Sequence, residues 1–332
     1  MAELPQLRLV PPATADGAAS RRSAVGRSGA RPGRVVSVGG GKGGAGKSLV
    51  AASLGIEFAR RGFRVVLIDC DLGGANLHTC LGLDPPRRTL SDFVSRRVER
   101  IEEILVPTGI PNLSLVSGAL DQLDAANPNH AQKTRFIRHL QALEADFAIL
   151  DLGAGTQKNT LDFFLLADHK VMVLVPEHTS VENAHRFVKA AFLRRLQAAS
   201  SIFGVASLLD EVLDRGRFQG PSEILDAIQG ADAETGRQLR EQMEAFRPGL
   251  VVNQARTPED AELGLGIATA WRRHFGIGMD VLGTVEFDDD VWRAARERRP
   301  LLQARTEGRA ARSLARIASR IQALGEMAAL SR

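Results

Sequence analysis

Short apolar runs alternate along the chain with longer stretches in which apolar residues recur every three or four positions. The short runs are continuously apolar, which is typical of strands buried on both faces of a sheet. They predict seven strands, at 35–38, 65–68, 113–116, 147–150, 171–175, 250–252 and 281–285. The longer stretches predict helices at 47–61, 129–143, 158–167, 180–197, 258–275 and 308–328. Strands and helices that alternate in this way predict an α/β fold, a mostly parallel central sheet flanked by helices on both faces.

One segment interrupts this alternation. Residues 200–248 contain no convincing strand, and helical spacing recurs within them at 208–213, 224–228 and 237–246. We therefore expect one folded domain over residues 35–332, with a helical excursion at about 200–248.

Residues 1–34 differ from the rest in composition and charge. They are rich in Ala, Gly, Ser, Pro and Arg, and they hold six Arg, no Lys and two acidic residues. Their net charge of +4 equals that of the whole chain, so the remaining residues are formally neutral, unlike most nucleic-acid-binding domains. We expect a disordered basic N-terminal arm, which is either a solvated leader or a contact for a partner, a lipid or a nucleic acid.

The overall composition indicates in which cellular compartment the protein is expected. The 332 residues are 44% hydrophobic and 25% charged, as in an ordinary globular protein. No run of eighteen apolar residues is present, so no membrane-spanning helix is expected. The two cysteines form neither a CxxC motif nor a Cys/His metal spacing. These features predict a cytoplasmic protein.

The segment with the most specific chemistry lies directly after the first predicted strand. Residues 39–48, the phosphate loop, read GGGKGGAGKS, and residues 41–48 fit the pattern G-x-x-x-x-G-K-[ST] at every position. Glycines let backbone N–H groups surround phosphate oxygens, Lys47 supplies a cation to the β- and γ-phosphates, and the Ser48 hydroxyl ligates Mg²⁺. The residues predicted to bind nucleotide here are Gly41, Gly43, Gly44, Ala45, Gly46, Lys47, Ser48 and Leu49.

A second lysine distinguishes this loop. The chain contains six Lys, and two of them, Lys42 and Lys47, lie in the loop. Lys42 turns the pattern into KGGxGKS, which resembles the deviant Walker A loop of the MinD/ParA class of P-loop ATPases. The resemblance implies ATP and Mg²⁺ as cofactors, and an ATP-dependent homodimer in which Lys42 touches the nucleotide of the partner subunit.

Two carboxylates follow the second predicted strand, in the sequence VVLIDCDLGGANLHTC of residues 65–80. Asp69 and Asp71 lie two positions apart, so alternation puts both on one side at the carboxyl end of the strand, where α/β sites lie. They are candidates for serving Mg²⁺ and an attacking water, or else for capping a turn. The segment resembles the D-x-D-x-x-x-x-N switch of the same class, with Asn76 in register. The resemblance implies that Asp71 positions the hydrolytic water and that Asp69 supports the metal shell.

The sequence FAILDLGAG of residues 147–155 has the pattern of a Walker B strand. In that pattern the terminal carboxylate, here Asp151, holds Mg²⁺ through water; the alternative is an ordinary strand-terminal acid. Gly153 and Gly155 would let the backbone approach the γ-phosphate and move on hydrolysis. The family often has Pro where Gly153 stands, and the D-x-G-A-G form is closer to its flagellar-number regulators.

Residues in the second half of the chain indicate which nucleotide base is bound. Asn253 ends a predicted strand and resembles the family's adenine-contacting Asn, although it also suits an ordinary turn. A guanine-reading N-K-x-D motif is missing, so ATP is favoured over GTP. Glu286, Phe287 and Asp288 resemble the loop that closes over the base. Residues 175–180 resemble the strand-to-helix turn V-P-E-x-T-S.

Two weaker signals leave alternatives open. Residues 312–328 place Leu314, Ile317, Ile321 and Leu324 on one helix face, which favours either core packing or an amphipathic membrane helix as in MinD. Basic runs at 194–195, 272–274 and 296–299 are either solvated helix faces or DNA contacts as in ParA.

Together these features predict an ATPase that binds Mg-ATP, dimerises on it and hydrolyses it slowly. Its expected output is a switch that controls the position or number of a flagellum, division site or cargo. Expected partners are a protein activator or cargo adaptor, with a peripheral contact to the inner membrane or nucleoid left open. The alternatives are a ParA-type DNA-partitioning ATPase and a P-loop biosynthetic amidase or ligase of the cobyrinate or dethiobiotin type.

Overall fold

Seven parallel strands and one antiparallel edge strand make a single sheet. The computed structural model describes residues 33–71, 74–118, 128–216, 218 and 220–330. Within them the strands are, in chain order, β1 (Arg34–Gly39), β2 (Val65–Asp69), β3 (Val106–Pro107), β4 (Leu113–Val116), β5 (Phe147–Asp151), β6 (His169–Leu174), β7 (Gly249–Ala255) and β8 (Asp280–Glu286). Across the sheet they lie in the order β3-β4-β2-β5-β1-β6-β7-β8, and β3 is the strand that pairs antiparallel with its neighbour.

Helices connect and cover these strands. In chain order they are α1 (Lys47–Arg60), α2 (Leu77–Cys80), α3 (Leu90–Val94), α4 (His130–Ala142), α5 (Lys158–Leu166), α6 (His178–Ile202), α7 (Ala206–Arg215), α8 (Pro221–Ala231), α9 (Ala233–Glu244), α10 (Pro258–Phe275), α11 (Asp289–Arg296), α12 (Leu301–Ala304) and α13 (Arg309–Leu330). Their ends follow local chemistry. In α10, for example, Thr257 and Asp260 form a capping box, Pro258 takes the first helical position and Gly276 ends the helix in the left-handed conformation.

The sheet separates two hydrophobic cores. One core contains residues of α4, α5, α6 and α10, among them Phe187 and Phe192. The other contains residues of α1 and α13. Successive residues of β1 serve different cores, because Val35 belongs to the first and Val36 to the second. This two-sided burial is the physical reason for the continuously apolar strands.

The predicted fold class is confirmed. All seven predicted strands and all six predicted sheet helices are present, with ends that shift by a few residues. The prediction missed the two-residue β3, the short helices α2, α3 and α12, and the eight-residue α11. These elements are too short for apolar periodicity to identify.

The predicted basic arm lies outside the described residues, except for Gly33 and Arg34. Those two belong to the folded domain, which corrects the predicted boundary. The Gly33 N–H donates to the Ala145 carbonyl oxygen at 3.0 Å, and Arg34 is the first residue of β1. The segment at about 200–248 contains α7, α8 and α9, and their buried residues, including Leu225 and Leu239, join the core of α6 and α10.

The apolar face of α13 packs inside the protein. Leu314, Ile317 and Ile321 are buried, and Leu324 packs against the same core as α1. Core packing is therefore the correct alternative for this face, and it is not available for insertion into a membrane. Among the helices that the structure describes, none combines the length and the hydropathy that crossing a membrane requires.

The basic run at 194–195 matches neither of its two predicted roles. The Arg194 guanidinium pairs with Asp162 at 2.6 Å. Arg195 is buried and donates to the Gln242 carbonyl oxygen at 2.9 Å. These arginines are structural because they tie α6 to α5 and to the excursion helix α9.

Candidate nucleotide-binding site

The candidate site lies at the carboxyl ends of the central strands. β1 lies between β5 and β6, and β5 in turn pairs with β2. Asp69 at the end of β2 is directly in register with Asp151 at the end of β5. The phosphate loop leaves β1 beside them and enters α1. Three predicted motifs that are far apart in sequence therefore meet at one edge of the sheet, as parallel topology requires.

Glycines allow the phosphate loop to pack closely on its surroundings. Gly46 has φ of +89°, and a Cβ there would lie 2.1 Å from the side-chain nitrogen of Asn253. A Cβ on Gly41 would lie 2.1 Å from the Asn183 carbonyl oxygen of α6. Both positions exclude any larger residue without movement of the loop. The loop thus opens directly into the N-terminus of α1, whose free N–H groups favour a phosphate.

Lys47 is the buried cation of the site. Its side chain reaches back across the loop, and Nζ donates to the Lys42 carbonyl oxygen at 3.2 Å. Burial lowers the pKa of Lys47, whereas the carboxylates of Asp151 and Asp71 raise it. The ammonium group therefore lies in a region where anionic groups converge, and a phosphate would give it a closer partner than a carbonyl oxygen.

Lys42 points the other way and contacts the turn before α6. Its ammonium group forms an ion pair with Glu177 and lies 3.4 Å from the Thr179 hydroxyl. Both partners belong to the V-P-E-x-T-S turn, and the side chain of Lys42 is 31% exposed. This contact is within one chain, so the role of Lys42 across a dimer stays a prediction.

Asp151 is a buried carboxylate with spare bonding capacity. It accepts a hydrogen bond from the Ser48 hydroxyl, and burial, followed by the charge of Asp69, raises its pKa to about 8. Its Oδ1 atom has no hydrogen-bond partner within the described part of the chain. An orphaned carboxylate oxygen beside a hydroxyl is the hard oxygen donor set that Mg²⁺ prefers, so Ser48 and Asp151 fit this ion.

Asp69 uses both of its carboxylate oxygens to organise the chain that follows it. Oδ1 accepts from the Asp71 N–H at 3.0 Å, and Oδ2 accepts from the Leu77 N–H at 3.1 Å. Burial raises the pKa of Asp69 to about 6, although these backbone hydrogen bonds oppose the shift. This arrangement favours the turn-capping alternative for Asp69, and its support of a metal shell stays a prediction.

Asp71 and Gly153 face each other across the site. A Cβ on Gly153 would lie 3.1 Å from the Oδ1 atom of Asp71. A side chain at position 153 would therefore crowd the carboxylate that is predicted to position water.

Gly155 has φ of +97°, and its N–H donates to the Gly40 carbonyl oxygen at 3.3 Å, which ties this loop to the phosphate loop. Asn76 is used locally, since its amide donates to the Gly74 carbonyl oxygen at 2.7 Å.

Asn253 joins the predicted base site to the phosphate loop. It is buried, and its side-chain amide donates to the Ala45 carbonyl oxygen at 2.8 Å. The sequence suggested an adenine contact or a turn residue at this position and did not reveal this bond. A pattern of residue types cannot show it, because the two residues are 208 positions apart.

The loop after β8 divides its residues between two tasks. Glu286 is exposed, and Phe287 lies under the Arg256 guanidinium, which is 3.5 Å from the ring centroid. Asp288 accepts from the Asp290 N–H at 3.0 Å and from the Ala310 N–H at 3.1 Å, so its carboxylate caps α11 and holds the start of α13. The sequence predicted that Asp288 binds nucleotide and did not reveal that its carboxylate caps a helix; nucleotide binding by Asp288 stays a prediction. Sequence reasoning also missed Glu177 as the partner of Lys42, although the V-P-E turn was a signal for it.

Comparisons with known proteins agree with this geometry. The sequence profile of the CobQ/CobB/MinD/ParA nucleotide binding domain matches residues 36–301. The antiactivator FleN of Pseudomonas aeruginosa is 33% identical over 159 residues, which are 48% of this chain and 56% of that protein. The septum site-determining protein MinD of a Synechocystis strain is 29% identical over 197 residues, 59% of this chain and 72% of that protein. The chain spans about half the length of the first curated relatives that it matches.

A solved structure shows the same fold. The septum site-determining protein MinD from Pyrococcus horikoshii, complexed with Mg-ADP, superimposes with a TM-score of 0.59 over 89% of this chain and 98% of that chain. At 19% sequence identity, this likeness concerns the fold alone.

Proposed function

This chain belongs to the CobQ/CobB/MinD/ParA nucleotide-binding domain family, and from that premise we propose that it is an ATPase that acts as a switch. It binds Mg-ATP, forms a homodimer on it and hydrolyses it slowly. The two nucleotide states control the position or number of a cellular structure such as a flagellum, a division site or a cargo. The names of its relatives, an antiactivator and a septum site-determining protein, support an output of this regulatory kind.

The observation that carries this proposal is the pairing of Ser48 with Asp151 beside the buried Lys47. A buried carboxylate with an orphaned oxygen and a buried lysine both cost stability. A fold retains such groups where a ligand uses them. The oxygens of Ser48 and Asp151 suit Mg²⁺, and the ammonium group of Lys47 suits a phosphate. Gly46, in the left-handed conformation, leads the loop into the N-terminus of α1, where N–H groups are free to bind phosphate.

The residues of this chain divide the chemistry among them. Lys47 and the N–H groups of the phosphate loop bind the β- and γ-phosphates, and Asp71 orients the attacking water by accepting a hydrogen bond from it. Ser48 and Asp151 would hold Mg²⁺, which when bound would further neutralise phosphate charge. Gly153 leaves room for the carboxylate of Asp71 and for the water.

Lys42 connects this chemistry to dimerisation. In one chain it is paired with Glu177, and in the dimer it exchanges this partner for the nucleotide of the partner subunit. Two ATP molecules that face each other across an interface repel, and one lysine from each subunit reduces that repulsion. The expected consequence is that loss of Lys42 affects association more than nucleotide binding.

The proposal also covers the contacts with the adenine base of ATP and the location of the protein in the cell. The proposed adenine contacts are Asn253, Glu286 and Phe287, and Asp288 would hold the loop that carries Glu286 and Phe287 in place, since it caps α11. A cytoplasmic protein is proposed, together with a protein activator or cargo adaptor. Because the apolar face of α13 is buried, a contact with the inner membrane would have to use other residues. The DNA-partitioning alternative loses one of its three candidate contact runs, since the run at 194–195 is used structurally.

Calorimetric titration of ATP with Mg²⁺ tests the proposal. Lys47→Ala should lower ATP affinity by more than about 30-fold, or about 2 kcal/mol, because the phosphates lose their cation. Lys189→Ala, which changes an exposed lysine of α6, is the matched control and should bind like the native chain. Retention of native affinity by Lys47→Ala would refute the phosphate-loop assignment.

A mixing experiment tests the dimer. Lys42→Ala and Asp71→Ala should each be inactive in phosphate release, for want of the trans lysine and of the water-positioning carboxylate. In a mixed dimer, the site on the Lys42→Ala subunit has its own Asp71 and receives Lys42 from the other subunit. Partial activity should therefore return on mixing. If mixed dimers form, as light scattering would show, and stay inactive, Lys42 acts within its own chain.

A further inference from the structure

Two cavities join along the free edge of the sheet, between α10 and α13. Their volumes are about 880 Å³ and 650 Å³, and they share Leu265, Val281, Leu282 and Arg320. We call this continuous surface the edge groove. Its floor is β8, the last strand of the sheet, and its walls are the facing sides of the two helices. None of residues 40–48 lines it, whereas Glu286 and Phe287, the proposed adenine contacts, line one end of the larger cavity.

The middle of the edge groove is apolar. Val281 is part-exposed on the floor, and Leu282 and Ile317 of α13 lie beside it with exposures of 3% and 1%. Leu265 of α10 lines both cavities and is 64% exposed, among the most exposed large apolar side chains in the described part of the chain. An apolar side chain left in water inside a concave surface is a feature of docking sites.

The rim of the edge groove is strongly basic. Arg256, Arg309, Arg316 and Arg320 line the larger cavity and are exposed. Across the described ranges, no carboxylate lies within ion-pair distance of any of these four. Arg305, close by in sequence, does pair, with Asp290 at 3.5 Å.

Two of the rim arginines donate hydrogen bonds to neutral groups, whereas Arg309 interacts electrostatically with the nearby carboxylate of Asp288. Arg316 donates to the Ser313 hydroxyl at 3.0 Å, and Arg320 donates to the Leu282 carbonyl oxygen at 3.0 Å. Two acids line the cavities. Asp280 is already paired with Arg247 at 2.6 Å, which leaves Glu286 at the upper end of the groove. The groove therefore presents excess positive charge around an apolar floor.

We propose that the edge groove docks an acidic peptide segment of a partner protein, with apolar side chains on the floor and carboxylates at the arginine rim. Arginine forks match carboxylates in geometry as well as in charge. The N-terminal arm of this chain is an unsuitable occupant because residues 1–32 carry five Arg and two acids, the same sign of charge as the rim.

Nucleic acid is a weaker match for this surface. Single-stranded nucleic acid is bound largely by stacking of its bases on aromatic side chains. Phe287 is the aromatic residue that lines the edge groove, and the Arg256 guanidinium already covers its ring. A concave apolar floor suits leucine-like side chains better than a duplex backbone.

Fluorescence anisotropy on the full chain without nucleotide tests this proposal independently of the ATPase proposal. The probe is a fluorescein-labelled, C-amidated dodecapeptide of alternating Glu and Leu. We expect a dissociation constant of about 10–100 µM, as for other weak peptide docking. Raising the salt from about 50 to 300 mM should weaken binding at least roughly threefold. A peptide with Gln in place of every Glu should bind at least about tenfold more weakly.

Variants assign the binding to the groove. Arg316→Glu should weaken binding about tenfold or more, and Arg316→Gln about threefold. Leu265→Ser should weaken it about threefold through loss of apolar contact. Arg312→Glu is the matched control, since Arg312 is exposed on the same helix but lines neither cavity, and it should stay within about twofold of the native chain.

Three results would each overturn the proposal. The first is an absence of peptide binding by the native chain at millimolar concentration. The second is an equal loss of binding in the Arg312→Glu and Arg316→Glu variants. The third is tighter binding of a dodecamer of thymidylate than of the peptide, with the same dependence on Arg316, which would identify a nucleic-acid surface instead.

Discussion

The phosphate-loop region and the helical excursion α7–α9 use charge in opposite ways. Around the loop, Lys47 and Asp151 are buried, and one oxygen of Asp151 has no hydrogen-bond partner among the described residues. On the excursion, Arg237 is exposed and pairs with Glu234 and Glu241 at 2.6 Å each. Buried charge without full compensation lowers stability, whereas exposed pairs hardly change it. The contrast separates a region organised for a ligand from one organised for packing.

The largest expected effect on ATP binding tests the loop side of this comparison. Gly46→Ala would place a Cβ 2.1 Å from the Asn253 amide at a φ of +89°. We expect ATP affinity to fall by more than about 30-fold, or about 2 kcal/mol, because the loop can no longer close around phosphate. Gly62→Ala is the control, since Gly62 has a similar φ of +87° but open space around its Cβ position. It should lower stability by about 1 kcal/mol and leave calorimetric ATP affinity unchanged.

The next effect tests the packing side. Leu239 of α9 is fully buried in the core shared with α6 and α10. Leu239→Ala should lower the free energy of unfolding by about 2–5 kcal/mol, through lost contacts and a cavity. Urea denaturation measures this loss, and ATP affinity should stay within about twofold. A parallel loss of ATP affinity would mean that the excursion supports the nucleotide site.

A third prediction concerns how pH changes the loss of folding stability caused by the buried Asp151. Burial and the charge of Asp69 raise the pKa of Asp151 to about 8 from an ordinary 3.8. The folded state therefore keeps a proton that the unfolded chain has lost, so the free energy of unfolding falls as pH rises from about 4 to 8. Asp151→Asn removes this contribution. In metal-free buffer at pH 8 it should be about 1–3 kcal/mol more stable than the native chain, with the difference shrinking toward pH 4.

The outcome that contradicts this prediction is an equal slope of unfolding midpoint against pH in the two proteins. The same variant should lose stabilisation by Mg-ATP, which would show that the removed charge served the ligand. Gain of stability together with loss of ligand binding is the expected mark of a functional residue.

The smallest effect concerns the exposed pairs of the excursion. Arg237→Ala breaks two ion pairs on α9. Because both partners are solvated, the urea midpoint should not change measurably. A clear destabilisation would show that charge on the excursion contributes to packing and would weaken the comparison.

Sequence reasoning predicted the fold well because its signals are local. Continuous apolar runs indicate strands buried on both faces, and such runs predicted seven of the eight strands. The phosphate loop was equally clear because its residue types at fixed spacing follow directly from phosphate chemistry. Asp69, Asp71 and Asp151 were placed at the correct end of the sheet by the parallel topology alone.

Features that depend on distant contacts could not be predicted. Three such contacts join residues that lie far apart in sequence. They are the hydrogen bond from Asn253 to Ala45, the ion pair of Lys42 with Glu177 and the hydrogen bond from Arg195 to Gln242. The edge groove is a further example, since it exists only because α10 and α13 cover opposite faces of the sheet beside β8. In the sequence, nothing distinguishes Arg316 from Arg312, which lies on the same helix but lines neither cavity.

The two edges of the sheet bear on how copies of this chain avoid aggregation. A free strand edge offers unpaired backbone groups to any other strand, including that of a second copy. At one edge, β3 has two residues and one of them is Pro107, which has no N–H to donate. At the other, Arg320 occupies the carbonyl oxygens of Val281 and Leu282 at 3.2 and 3.0 Å. Edge-to-edge polymerisation is thereby discouraged at both ends of the sheet.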